Sequence, residues 1–309
     1  MILGRRGLLA AALALAGCTP DPTILGAPAP VPVPPSPTQS PAARAAVAAL
    51  AGLAWAIDAG RAPADAPEGY AGWADAAAAA VEAVTVRLLA ADPVAGGEPV
   101  FPAPTPAAPA AATAAEALAA LAAASDAAVT ALRTGALGAL DQPLRLLYGS
   151  AACLARGLRA PGPAPVPGDA EPTHFQATTE QAALAVAVSH VWALLYGLGV
   201  GLGRLPASSE FEEYGVSRLA SARELRNELR SRLSEPPLQP ASFELPTPME
   251  SPEEIREGWA LLEAGLLSGL GRLAAAGGTD AAHHLDLLVA QGDAVTALGR
   301  PLPFWPGWA

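Results

Sequence analysis

The residues best able to do redox or hydrolytic chemistry in this chain are its four histidines, at 174, 190, 283 and 284, and the acids spaced near them. A di-iron centre inside a helical bundle needs two Glu-x-x-His turns and a further Glu from each of two other helices, because carboxylates and imidazoles must converge on the metal pair. By letter the chain has one Glu-x-x-His, Glu171-Pro172-Thr173-His174, set in a proline-rich link where no helix holds the two side chains one turn apart. Asp280-x-x-His283 falls at a helix start, where an aspartate serves as a cap. His283 and His284 are neighbours that point about 100° apart on a helix and read as a solvated helix start. The metal-ligand set is therefore incomplete, and neither a metal nor another cofactor is expected.

Other chemistry is equally thin. Gly149-Ser150 lacks the second glycine of a nucleophile elbow, and no His-Glu-x-x-His occurs. The glycine run 197–203 sits at a helix end rather than after a strand, so it is not a dinucleotide loop. No catalytic residue is assigned. Cys153 lies among Leu and Ala and reads as a buried thiol. What remains is an inward polar or ligand site built from His190, Tyr196 and Glu263, with Glu263 at the edge of an apolar stripe and partly solvated.

The elements that must position these residues follow from proline, which is excluded from helix interiors. The chain has 33 prolines in 309 residues, clustered at 20–41, 93–109, 161–172, 236–252 and 301–306. Between the clusters lie proline-free windows without alternating strand patterns, so the fold class is all-α. Helices are expected near 42–60, 69–91, 112–140 and 144–159, then within 173–205 and 207–235, and at 253–276 and 280–299. Ser209 with Glu212 forms a capping box, Ser251-Pro252-Glu253-Glu254 is a stronger helix start, and Thr279 caps the last helix. Ile255, Trp259, Leu262, Leu266, Leu270 and Leu273 make one buried stripe.

Residues 181–203 carry no charge over the length of a membrane span, yet Gln181, Ser189 and His190 interrupt them. They read either as a span or as a central buried helix whose small residues Ala185, Ser189, Ala193, Gly197 and Gly201 admit a close neighbour. That stripe, with aromatic neighbours, is also where an apolar small molecule could be carried. In the second half, links run short, long, short, and the long proline-rich link can return the chain along the full length of a helix. This order describes a four-helix bundle with one crossover over 173–309. The rhythm repeats in 42–160, as a second bundle or as a helical layer on the first.

The N-terminus is an address. Arg5-Arg6, an Ala/Leu run and Leu15-Ala16-Gly17-Cys18 form a signal peptide over 1–17 ending in a bacterial lipobox, so Cys18 is expected to carry a lipid and to anchor the chain outside the cytoplasmic membrane. The Arg pair also fits twin-arginine export. Residues 18–41, rich in proline, make an extended linker. The net charge of −11 excludes nucleic acid as a partner, since all 18 basic residues are Arg and are outnumbered by 29 acids. The expected partners are the membrane, through Cys18, and another envelope protein.

The stretch from about 176 to 309 resembles the ferritin-like domain of unknown function of actinobacterial lipoproteins. The resemblance rests on Ser189-His190, Tyr196-Gly197, Leu205-Pro206, Arg223-Glu224-Leu225, Phe243-Glu244-Leu245-Pro246 and Phe304-Trp305-Pro306-Gly307. It implies the ferritin-like bundle and an envelope location. In that family an acid often precedes the first-helix histidine; here Ser189 takes its place. The function expected is a lipid-anchored, non-catalytic binding or scaffold protein, with a carrier of an apolar molecule or a divergent metal-dependent oxidoreductase as alternatives.

Overall fold

Caps and apolar spacing divide the chain into eight helices among the residues described by the computed structural model, which are 37–105, 111–168, 171–173, 175–206 and 209–308. The helices are Pro41–Ala59 (α1), Tyr70–Leu89 (α2), Ala114–Gly138 (α3), Gln142–Gly157 (α4), Glu180–Arg204 (α5), Glu212–Ser231 (α6), Pro252–Ala276 (α7) and Ala281–Ala297 (α8). Two isolated bridges occur, Ala90 with Pro99 and Val166 with Pro303, and no strand is found among the described residues. The signal peptide, Cys18 and most of the linker lie outside them.

The two halves use the same starting devices. The first helix of each half is capped by a hydroxyl, Ser40 accepting from the Ala43 amide at 3.1 Å and Thr179 from the Ala182 amide at 3.2 Å. The third helix of each half adds a glutamate one turn in. Thr113 accepts from the Glu116 amide while the Glu116 carboxylate accepts from the Ala112 amide. Ser251 accepts from the Glu254 amide while the Glu254 carboxylate accepts from the Glu250 amide. Pro41, at the end of the expected linker, is the first residue of α1, where a missing N–H costs nothing.

Two expected caps are not formed. Backbone hydrogen bonding from the Glu212 amide to the Ser209 carbonyl makes a turn ahead of α6, so Phe211 stands at the cap position without a side-chain bond. Asp280 rather than Thr279 stands at the start of α8, and its carboxylate is drawn to Arg232 at 2.8 Å instead of to the helix amides.

Packing repeats as well. In the first half α1 lies against α2 and α3, and α3 against α4; in the second, α5 lies against α6 and α7, and α7 against α8. In each half the second and fourth helices are not closely packed backbone to backbone, and in the second half long polar side chains bridge that gap. Helix α4 packs on both α7 and α8, so the two halves share one hydrophobic core and residues 38–309 form a single compact unit. A continuous core of this kind lets that segment fold by itself.

Trp259 fixes how α5, α6 and α7 meet. It is fully buried, its indole N–H donates to the Gly197 carbonyl at 3.0 Å, and its ring fills the space where Gly201 and Gly215 lack side chains. A Cβ at Gly197 would collide with Leu262. The glycine end of the small-residue stripe is thus occupied by α7. Ser189 is exposed, and Ala185 and Ala193 are half-buried. By length and composition α1, α3 and α5 could each cross a membrane, and in α5 half of the apolar window is buried within the protein.

The C-terminal tail is seated on α7 and α8. In the link before α5 the Val166 amide donates to the Leu302 carbonyl and the Val166 carbonyl accepts from the Phe304 amide, Trp305 and Trp308 are buried, and Trp308 meets Phe175 edge-on at 6.2 Å. Gly271 permits this seating, because a Cβ there would stand 2.4 Å from the Gly307 carbonyl oxygen. The obstacle is main chain, which no rotamer change relieves. Gly271→Ala is therefore expected to lift the tail and expose its two tryptophans. The measurement is intrinsic tryptophan emission of folded protein, which should shift to the red with helicity retained; unchanged emission would rule the seating out.

Candidate functional site

Three polar residues fall in the apolar seams of three different helices. Along α6 the inward register runs Gly215, Arg218, Ala222, Leu225, Leu229; along α7 it runs Trp259, Glu263, Leu266, Leu270; along α8 it runs Leu288, Gln291, Val295. The heptad-like spacing of four and three carries these polar groups inside. Glu263 is 0% exposed rather than partly solvated, because it lies in the seam and Leu262 lies off it.

Arg218 is the partner that makes this burial tolerable. Its Nε donates to Glu263 Oε1 at 2.7 Å and its Nη2 to Oε2 at 2.8 Å, the two-pronged geometry of the strongest ion pairs. The same Nη2 donates to Gln291 Oε1 at 2.9 Å, and Gln291 returns Nε2 to Glu263 Oε2 at 2.6 Å and to the Glu263 carbonyl at 3.0 Å. Tyr214 Oη donates to Glu263 Oε1 at 3.3 Å. Burial works against the Arg218 charge, but the Glu263 carboxylate outweighs it and raises the guanidinium pKa. Burial and the Glu263 charge together push the Tyr214 hydroxyl well above its ordinary value.

Two donors reach each Glu263 oxygen, which accounts for the acceptor sites a carboxylate offers. The Tyr214 hydroxyl lies as close to the Ala294 carbonyl, at 3.4 Å, so its one proton is shared, while the Arg218 and Gln291 bonds hold the carboxylate in place. The cluster therefore ties α6, α7 and α8 together as a closed unit. It faces a groove of about 460 Å³ between α6 and α8, with Leu270 in its lining.

The expected trio is not one site. His190 packs in the α5–α7 contact, where a Cβ at Gly269 would lie 2.8 Å from its ring, while Glu263 faces α6 and α8 from the other side of α7. Burial, with Arg272 nearby, lowers the His190 pKa. Tyr196 is half-buried and meets Phe243, in the α6–α7 connection, at 6.0 Å. Residue type alone does not single out Tyr214, Arg218 and Gln291; the signal they carry in the sequence is their position in or beside the helix seams.

Glu171 pairs with Arg87 at 3.0 Å, and His174 lies outside the described residues. His283 is partly exposed and bonds Glu228 at 2.5 Å, but His284 is fully buried, which corrects the reading of both as solvated. Its cause is the α7–α8 turn: Gly277 and Gly278 bring the carbonyl of Gly277 to 3.1 Å from His284 Nδ1. Among the described residues no three His, Cys, Asp or Glu side chains converge as a metal site. Cys153 is buried against Gly292, and burial above all pushes its thiol up to about 12.

His284 makes stability depend on pH. Burial lowers its pKa below 6.5, opposed by the Gly277 carbonyl and by Glu180, 4.0 Å from Nε2, and aided by Arg232 and His283; Asp280 stands beside Arg232. The unfolded state binds the proton more readily, so stability is full above about pH 6.5 and falls as the pH drops through the folded value. His190 contributes with the same sign. The thermal midpoint is expected to fall on acidification from pH 7 to 5, with a shallower slope in His284→Gln. Equal slopes would remove His284 from the account.

Compared with known protein families, with curated proteins and with solved structures, the chain matches none.

Proposed function

We propose that this chain is an exported bacterial envelope protein, held to the outer face of the cytoplasmic membrane by lipid on Cys18, whose helical body has a non-catalytic binding or scaffold role. The observation that carries the non-catalytic reading is the state of Glu263: the most deeply buried acid among the described residues is engaged by Arg218 at both oxygens and by Gln291, as a structural tie between helices. The lipobox supports the anchor, and the linker supplies a spacer between an acidic body, of net charge −13 once residues 1–17 are removed, and anionic headgroups.

The ferritin-like arrangement of α5 to α8 belongs to the same proposal. Its supports are the adjacency of α5 to α6 and α7, of α7 to α8, and the long connection between α6 and α7.

Intact-mass analysis of the mature chain from its native membrane tests the anchor. The expected result is a chain beginning at Cys18 with a diacylglyceryl group, lost in Cys18→Ala; a mature chain beginning elsewhere would overturn it. Metal analysis of the same preparation tests the non-catalytic reading, which stoichiometric iron or manganese would defeat.

A further inference from the structure

On the outer side of the first two helices lies a groove of about 580 Å³ that the closed cluster around Glu263 does not touch. Ala51, Ala54 and Trp55 of α1 form one wall, Ala78, Val81, Thr85, Val86 and Leu89 of α2 the other, and Phe101 with its neighbours in the α2–α3 connection closes it. Small alanines on both helices leave the channel, and the bulk of Trp55 and Phe101 bounds it. From this geometry we infer that the groove is a binding site for the single alkyl chain of an amphiphile with a cationic head.

The groove has the volume of a small-molecule site. Shape then selects a chain. From Ala78 to Leu89 the groove follows α2 for about 16 Å at the helical rise, an elongated rather than a rounded site. An extended peptide would bring unpaired amide groups into walls with little to offer them. Of the lining side chains only Glu82, Thr85 and the Trp55 indole carry polar atoms, and the Thr85 hydroxyl already donates to the Val81 carbonyl at 2.8 Å. Methylenes need no such partners, and each gains about 0.8 kcal/mol on burial.

Charge selects the head. Glu82 is exposed at the rim, no basic side chain lines the groove, and Arg87, beyond its Leu89 end, is turned toward the Val94 carbonyl and Glu171. An anionic head would meet one carboxylate and no cation; a cationic head meets its complement. This site goes beyond the anchored-scaffold reading and involves none of its residues.

The test uses residues 38–309, which form one compact unit with a continuous core, and two probes below their micelle concentrations, dodecyltrimethylammonium and dodecyl sulfate. Calorimetric titration should show one dodecyltrimethylammonium per chain and at least tenfold weaker binding of dodecyl sulfate. Ala54→Phe and, separately, Ala51→Phe should each weaken binding at least tenfold. A circular-dichroism melt within a few degrees of the parent shows that a variant is folded. Val216→Ser, at an exposed position on α6, should bind as the parent does. Absent or non-stoichiometric binding, equal affinity for the two probes, or parent-like binding by both folded groove variants would each overturn the inference.

Discussion

Glu263→Leu is expected to destabilise the protein by about 3–5 kcal/mol, because it strands the Arg218 guanidinium in the interior with its charge uncompensated. Arg218 cannot escape by losing its proton, and its side chain is only 15% exposed, so water does little to replace the lost carboxylate. At roughly 2–4 °C per kcal/mol for a protein of this size, the thermal midpoint should fall by about 6–20 °C. The double variant Glu263→Leu with Arg218→Met should recover most of that loss, since replacing both members of a buried pair by apolar residues is often neutral or better. A double-mutant cycle in thermal melts measures the coupling. A single variant within 1 kcal/mol of the parent would show that the pair is hydrated or open.

The second large effect is expected at Trp259. Trp259→Ala removes a fully buried indole that fills the space beside Gly201 and Gly215 and donates to the Gly197 carbonyl, at a cost of about 3–5 kcal/mol. The loss combines unburied apolar area with a cavity that three helices cannot easily collapse around. Trp259→Phe should retain most of the packing and lose the hydrogen bond, placing it between parent and alanine variant. Urea unfolding checks both, and equal loss in the two variants would mean that the ring packing contributes nothing.

These effects locate the stability of the second half in the contacts among α6, α7 and α8 and between α5 and α7. The first half is built differently, with alanine stripes in α1 to α3 and few polar groups inside; Ser125, donating to the Ala155 carbonyl at 2.7 Å, is a buried exception. Small side chains bury little area and fill little volume each, which leaves a groove along the outer faces of α1 and α2.

Helix placement was legible before any coordinates. Prolines marked where helices could not run, and Ser251 marked where α7 begins; Ser40, Thr113, Asp141 and Thr179 cap four more helices in the structure, each accepting from the amide three residues on. Ser209 and Thr279 misled because the competing partners, a turn before α6 and Arg232 beside Asp280, are respectively a backbone choice and a residue 48 positions away. The buried stripe of α7 was legible from periodicity, yet Glu263 was assigned to its edge: a one-residue choice between Leu262 and Glu263 turns on which neighbour can satisfy the acid.

What the linear chain determined by itself is local: all-helical class and helix bounds within a few residues. Tertiary structure alone decided that Arg218, Glu263 and Gln291 meet, that His284 is sealed while His283 is not, and that His190 and Tyr196 lie apart from both. The physical reason is that caps and hydrophobic periods act over a turn or two of chain. The pairing of buried charges is set by how helices dozens of residues apart lie side by side, and no single helix carries that information.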